Sequence, residues 1–203
     1  MNVLSAVESA APPVTRKPMD DIERALDDVS ASSAGGAPFL IAFGLTLAIC
    51  AVLGQMLPVR VAALITLFQG NLALPLAFLL ERKLRARPSQ GDRLRPLAIQ
   101  LAMSQIVALP AVLLVYSLEP AYVPAALVAV GGGHFLPYAW LHRTPVYIFL
   151  GVGVSVGAYA LAIALGRDSF SPVLFYVSAC YLAAAPALLF HARRLTAHAG
   201  APA

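Results

Sequence analysis

Residues 38 to 80 read PFLIAFGLTLAICAVLGQMLPVRVAALITLFQGNLALPLAFLL, a run in which Arg60 is the one charged side chain. A single helix of that length would rise about 65 Å, twice the roughly 30 Å of hydrocarbon in a bilayer. Pro58 lacks an amide donor and Arg60 is costly in hydrocarbon, so the break falls at QMLPVR. Each half is then close to the roughly 20 residues that a helix needs to cross.

The rest of the chain repeats this design. Of the 203 residues, 60% are hydrophobic and 12% charged, against about 25% charged in an ordinary soluble domain. No soluble core of this size could bury so much apolar surface, so the bilayer must act as solvent. Six apolar segments are predicted, near 38–57, 59–80, 97–118, 121–141, 146–165 and 172–192. The fold class expected is all-α, a polytopic bundle of six transmembrane helices preceded by a short amphipathic helix. The chain divides into an N-terminal cytoplasmic segment, 1–37, a six-helix domain, 38–193, and a cytoplasmic tail, 194–203. Within the first segment, Ile22, Leu26 and Val29 recur at helical spacing opposite the acids Asp20, Asp21, Glu23, Asp27 and Asp28, which predicts a short helix over about 20–30.

Basic residues near membrane ends are retained in the cytoplasm. With the N-terminus inside, twelve of the fourteen Lys and Arg residues fall on the inner side. Arg60 and Arg167 alone fall outside. Both termini are therefore expected in the cytoplasm, and five spans would spoil the alternation. The N-terminus MNVLSAVESAAPP has neither a basic n-region nor a long apolar h-region, so the first span reads as an uncleaved insertion signal. Three spans that run from outside to inside share a proline followed by an arginine: Pro75 and Arg82, Pro137 and Arg143, Pro186 and Arg193. A triplicated hairpin would produce this, and so would composition joined to the charge bias.

Polar groups at membrane depth are costly and hence informative. The second span holds Gln69 and Asn71 at its midpoint, and Pro75 removes the donor that would otherwise bond the Asn71 carbonyl. The third holds Gln100 and Ser104 on one face, with Gln105 about 100° away. The fourth is densest, GGGHFLPYAWLHRTPVY from 131 to 147, where His134, Tyr138 and His142 fall at i, i+4 and i+8 on one face. Gln69, Asn71, Gln100, Gln105, His134 and Tyr138 are the candidate polar lining. The leading reading is binding or passage of a small polar solute; the alternative is a non-enzymatic scaffold or accessory protein whose polar groups hold helices together and whose cytoplasmic face binds a partner or lipid. Trp140 and Tyr147 read as interface anchors, and Gly153 and Gly157 as a packing face. Cys50 and Cys180 lie in apolar runs and read as packing residues.

The basic run Arg82, Lys83, Arg85, Arg87, Arg93 and Arg95 is a candidate contact for anionic lipid headgroups or for the acidic N-terminal helix. No Ser-His-Asp set, phosphate-binding glycine motif or metal-ligand spacing is present. No catalytic residue, cofactor or metal is therefore predicted, and an enzyme is not expected. The partners expected are membrane lipid, with a homo-oligomer compatible with so little enclosed space, and no nucleic acid.

The stretch from 131 to 147 resembles one in an uncharacterised family of small bacterial six-span membrane proteins, the domain of unknown function 7010 family. Its members read roughly G-A-H-[LF]-L-P-[YF]-x-W-L-Y. Gly132, His134, Leu136, Pro137, Tyr138, Trp140 and Leu141 match, with Gly133 in place of Ala and His142 in place of the final Tyr. The segment GGAPFLIAF at 35–43 is similar to the family's KKGLPFILA. The resemblance implies the six-span fold, a bacterial inner membrane and weight on the fourth helix. It implies no activity, substrate or cofactor.

Overall fold

The computed structural model describes residues 18 to 85, 88 and 94 to 199, which form helices and turns with no strand among them. In chain order the helices are α1 (Pro18–Ser32), α2 (Ala37–Met56), α3 (Val59–Phe68), α4 (Gly70–Leu84), α5 (Arg95–Met103), α6 (Leu109–Leu118), α7 (Val123–Leu141), α8 (Val146–Leu165) and α9 (Phe170–Ala199). Four stretches are long and apolar enough to cross a membrane: Ala34–Met56, Val59–Leu84, Arg95–Leu118 and Val146–Leu195. The last is 50 residues long, and Gly166, at φ 57°, turns the chain inside it so that α9 folds back on α8. Tyr176 of α9 then reaches the Gly153 carbonyl of α8.

Small residues set the closest helix contacts. A Cβ on Gly151 of α8 would lie 2.6 Å from the Gly132 carbonyl of α7, and one on Gly132 would collide with Ser155. These backbones approach each other as only glycines permit. On the other side α2 and α9 run antiparallel, with Gly44 under Leu182 and Gly54 under Phe170. The Ser178 hydroxyl donates to the Gly44 carbonyl at 2.7 Å. The core lies between these pairs, around Leu47, Val128, Val154, Leu174 and Val177.

Two apolar segments differ from straight spans. The second divides at Gln69 into α3 and α4, and runs on to Leu84. The third divides at a 3-10 turn, Ser104–Ala108, one turn before Pro110. Proline at 110 has no amide donor for that turn, which accounts for the tightening there. Pro75, Pro137 and Pro186, in contrast, all sit inside helices. At the C-terminal end α9 continues past 193 into the predicted tail.

Candidate functional site

The most concentrated polar chemistry lies where α7 ends and α8 begins. The i, i+4, i+8 spacing of His134, Tyr138 and His142 brings the three rings together, His134 edge-on to Tyr138 at 4.8 Å and Tyr138 stacked on His142 at 5.7 Å. Tyr147 of α8 joins them, 5.4 Å from His142 and 5.8 Å from both Tyr138 and Phe135. Tyr181 of α9 meets Phe135 edge-on at 5.5 Å. The result is a continuous column of six rings drawn from three helices.

Three polar tips of the column reach three different elements. The Tyr138 hydroxyl donates to the Ala98 carbonyl of α5 at 2.7 Å. Tyr147 donates to the Gly35 carbonyl, in the turn between α1 and α2, at 2.6 Å. His142 shares a hydrogen bond of 3.1 Å with the Ser30 hydroxyl of α1. His191 of α9 donates from Nε2 to the His142 carbonyl at 3.0 Å. His134 closes on its own helix, its Nδ1 donating to the Gly131 carbonyl at 3.1 Å. The cluster therefore works as a clasp that fastens α1, α5, α8 and α9 to the end of α7.

The local sequence explains the clasp's shape. Past Leu141 the chain closes a Schellman turn, with the amide of Thr144 on the Ala139 carbonyl and that of Arg143 on the Trp140 carbonyl. Arg143 occupies the left-handed position, φ 51°, which usually selects glycine. From there it pairs with Asp27 at 3.3 Å and Glu23 at 3.8 Å on α1. Gly35 and Gly36 also have positive φ, and a Cβ on Gly36 would collide with the Tyr147 hydroxyl. Burial beneath α1, with His191 adding to it, pushes His142 down to about 3, so the ring is neutral at physiological pH.

The predicted lining divides between this clasp and other places. Gln69 accepts a hydrogen bond of 2.6 Å from Thr46 of α2. Asn71, two residues on, faces outward, as does Gln100. Gln105 is half-buried, with its Oε1 4.0 Å from where a Cβ of Gly131 would lie. His134 and Tyr138 belong to the clasp. Gln105 and His134 thus both lie beside Gly131, while Gln69 is engaged with α2. Tyr147 is not an interface anchor, being 2% exposed in the core, whereas Trp140 is 57% exposed as an anchor would be. Ser30 and His191 escaped sequence reasoning, and neither carries a signal in its own neighbourhood that marks it out.

Of the basic run, Arg82, Arg85 and Arg95 line a cleft of about 290 Å³ together with Phe78 and Glu81. Arg95 lies 3.8 Å from Glu81. Lys83 is exposed and does not line the cleft. Arg87 and Arg93 lie outside the described residues, as does the Asp20 side chain. Glu23 and Asp27 of α1 pair with Arg143. Among the described residues, no three His, Cys, Asp or Glu side chains gather closely enough to hold a metal ion.

Residues 22–191 match a family described as a family of unknown function, DUF7010, and the chain belongs to that family. No curated protein and no solved structure matches it.

Proposed function

We propose that this protein is a non-enzymatic membrane scaffold or accessory protein, crossing a bacterial inner membrane six times with both ends in the cytoplasm and using its cytoplasmic end to bind lipid or a partner. The six crossings are α2, α3 with α4, α5 with α6, α7, α8 and α9. Two points support six: the stretch Val146–Leu195 turns back at Gly166 and so supplies two crossings, α8 and α9, and α7, at 19 residues, rises about 30 Å. The ends of the bundle also differ in the expected sense. Arg82, Lys83, Arg85, Arg95, Arg143, Arg193 and Arg194 fall at one end, where Arg143 pairs with Asp27 and Glu23 and Arg95 with Glu81. Arg167 with Glu119 and Arg60 over Tyr116 occupy the other. The basic-rich end is the cytoplasmic one under the charge rule.

The observation that carries the scaffold reading is how the buried and half-buried polar groups are used. Gln69 is bonded to α2, Tyr138 to α5, Tyr176 to α8 and Ser178 to α2. Such bonds hold helices together, and a solute would have to break them. Movement of a small polar solute, the competing reading, needs these groups to share a space that water enters. Thiol labelling separates the two. In a chain carrying Cys50→Ala and Cys180→Ala, Gln69→Cys and Gln105→Cys are expected to resist a membrane-impermeant maleimide in intact vesicles, while Arg194→Cys reacts from the cytoplasmic side. Reaction at Gln69→Cys or Gln105→Cys would establish a water path and overturn the scaffold reading.

A further inference from the structure

The cleft between the end of α4 and the start of α5 has the makings of a ligand site. Phe78, Glu81 and Arg82 lie on one face of α4 at helical spacing, Arg85 is the residue just past its end, and Arg95 faces them from the first residue of α5. Among the described residues, three arginines and one carboxylate line about 290 Å³. Glu81, its side chain 14% exposed, stands 3.8 Å from Arg95 and holds it across the opening. The neighbouring acids Glu23 and Asp27 are directed to Arg143 instead.

The walls of this cleft are of two kinds. Phe78 lies one turn from Arg82, on the side away from the charged rim, and packs edge-on against Phe39 at 5.4 Å. Beyond it, Leu74 and Leu79 leave α4 exposed and apolar, as a surface that meets acyl chains should be. A ligand that fits both parts carries a phosphate for the arginines and hydrocarbon below it. Planar guanidinium groups bind phosphate in a bidentate fork, which a lysine cannot reproduce.

We propose that Arg82, Arg85 and Arg95 form a specific site for the phosphate of one anionic phospholipid, with Phe78 seating the start of its acyl chains. The proposal rests on the reading that this end of the bundle meets lipid headgroups, and it would hold for a scaffold or a transporter alike. Its failure therefore leaves the labelling result above untouched.

The test is titration of the delipidated full-length chain in a non-ionic detergent with phosphatidylglycerol, phosphatidylcholine and inorganic phosphate, with native mass spectrometry counting bound copies. One copy of phosphatidylglycerol is expected to bind in preference to phosphatidylcholine, and inorganic phosphate to leave it in place. Arg82→Gln and Arg85→Gln should each weaken phosphatidylglycerol about fivefold, while Arg194→Gln, the same charge change at the same end, should leave it unchanged. Equal weakening by Arg194→Gln would mean a diffuse electrostatic surface and overturn the site. Displacement of the lipid by inorganic phosphate would overturn the lipid assignment. Should the glutamine variants not fold, Arg82→Lys with Arg85→Lys keeps the charge and removes the forks; about twofold weaker binding is expected, and unchanged binding overturns the proposal.

Discussion

Tyr147 donates its hydroxyl proton to the Gly35 carbonyl across 2.6 Å, joining residues 112 positions apart in a site closed to solvent. The contact ties the first residue turn of α8 to the bend through which α1 enters α2. Gly36 completes it, because a Cβ there would occupy the space of the same hydroxyl. The bond and the glycine are thus one device, in which a left-handed turn is held by an aromatic hydroxyl.

Tyr147→Phe should destabilise the protein by about 1–3 kcal/mol, since it leaves the Gly35 carbonyl buried without its donor. Gly36→Ala should cost at least as much, because it adds backbone strain at φ 77° to the collision. Together they should cost less than the sum of the two, as the phenyl ring relieves the collision. Unfolding in detergent micelles, arranged as a double-mutant cycle, measures that coupling. Strict additivity would show that the two residues do not meet.

Glycines of α7 and α8 offer a contrast with the sign reversed between neighbours. Gly132→Ala drives a methyl into Ser155 and to 2.8 Å from the Gly151 carbonyl, and Gly151→Ala meets the Gly132 carbonyl at 2.6 Å. Both should separate the helices and lower stability by about 1–3 kcal/mol, as overpacking does. Gly133→Ala and Gly153→Ala meet nothing within 4 Å. They should be neutral or stabilising by up to about 1 kcal/mol through helix propensity. Thermal unfolding of the four variants side by side decides the matter, and a loss at Gly133 or Gly153 would contradict the packing described.

The lengths of the apolar runs made the helices legible, and α8, Val146–Leu165, begins and ends where the run from 146 to 165 does. The grouping of His134, Tyr138 and His142 was legible too, because one helix supplies all three rings at a fixed period. What was not legible is which helix each tip reaches. Ser30 and His142, or Tyr147 and Gly35, come from segments far apart, and helices apolar on every side carry no stripe that points to a partner. Gln69 and Asn71 show the same limit at closer range. Two residues apart on a helical turn they diverge by about 200°, so one meets Thr46 and the other faces outward. The break at Gln69 was equally hidden, since Pro75, the visible breaker, stays within α4.

The amides of α3 and α4 should therefore respond differently to the same change. Gln69→Leu removes the interhelical acceptor of the Thr46 hydroxyl, which keeps the Ala42 and Phe43 carbonyls of its own helix, and such interhelical bonds are worth about 0.6 kcal/mol on average. Asn71→Leu exchanges an outward-facing amide for an apolar side chain and should leave stability unchanged or raise it. Unfolding of both variants in lipid nanodiscs reads the difference. A larger loss at Asn71 than at Gln69 would mean that Asn71 has a buried partner.

Acid should loosen the clasp through His142. Its ring is held neutral in the folded protein, pushed down to about 3 by burial first and by His191 second. In the unfolded chain it takes a proton near 6.5. Between these values the unfolded state binds more protons than the folded one, so stability rises with pH. The contribution is complete above about 6.5 and declines by about 1.4 kcal/mol for each pH unit below it, until pH approaches 3. The charged and titratable groups nearby are His191, Arg143, Glu23, Asp27, Tyr138 and Tyr147. The window from pH 6.5 to 5 lies between the folded and unfolded values of His142. Over that window the wild-type melting temperature should fall as pH is lowered, while His142→Asn, which keeps a polar group for Ser30 and cannot take up the proton, should be less stable at pH 7 and show a much flatter slope. An undiminished slope in His142→Asn would place the acid sensitivity on another residue and leave His142 as packing alone.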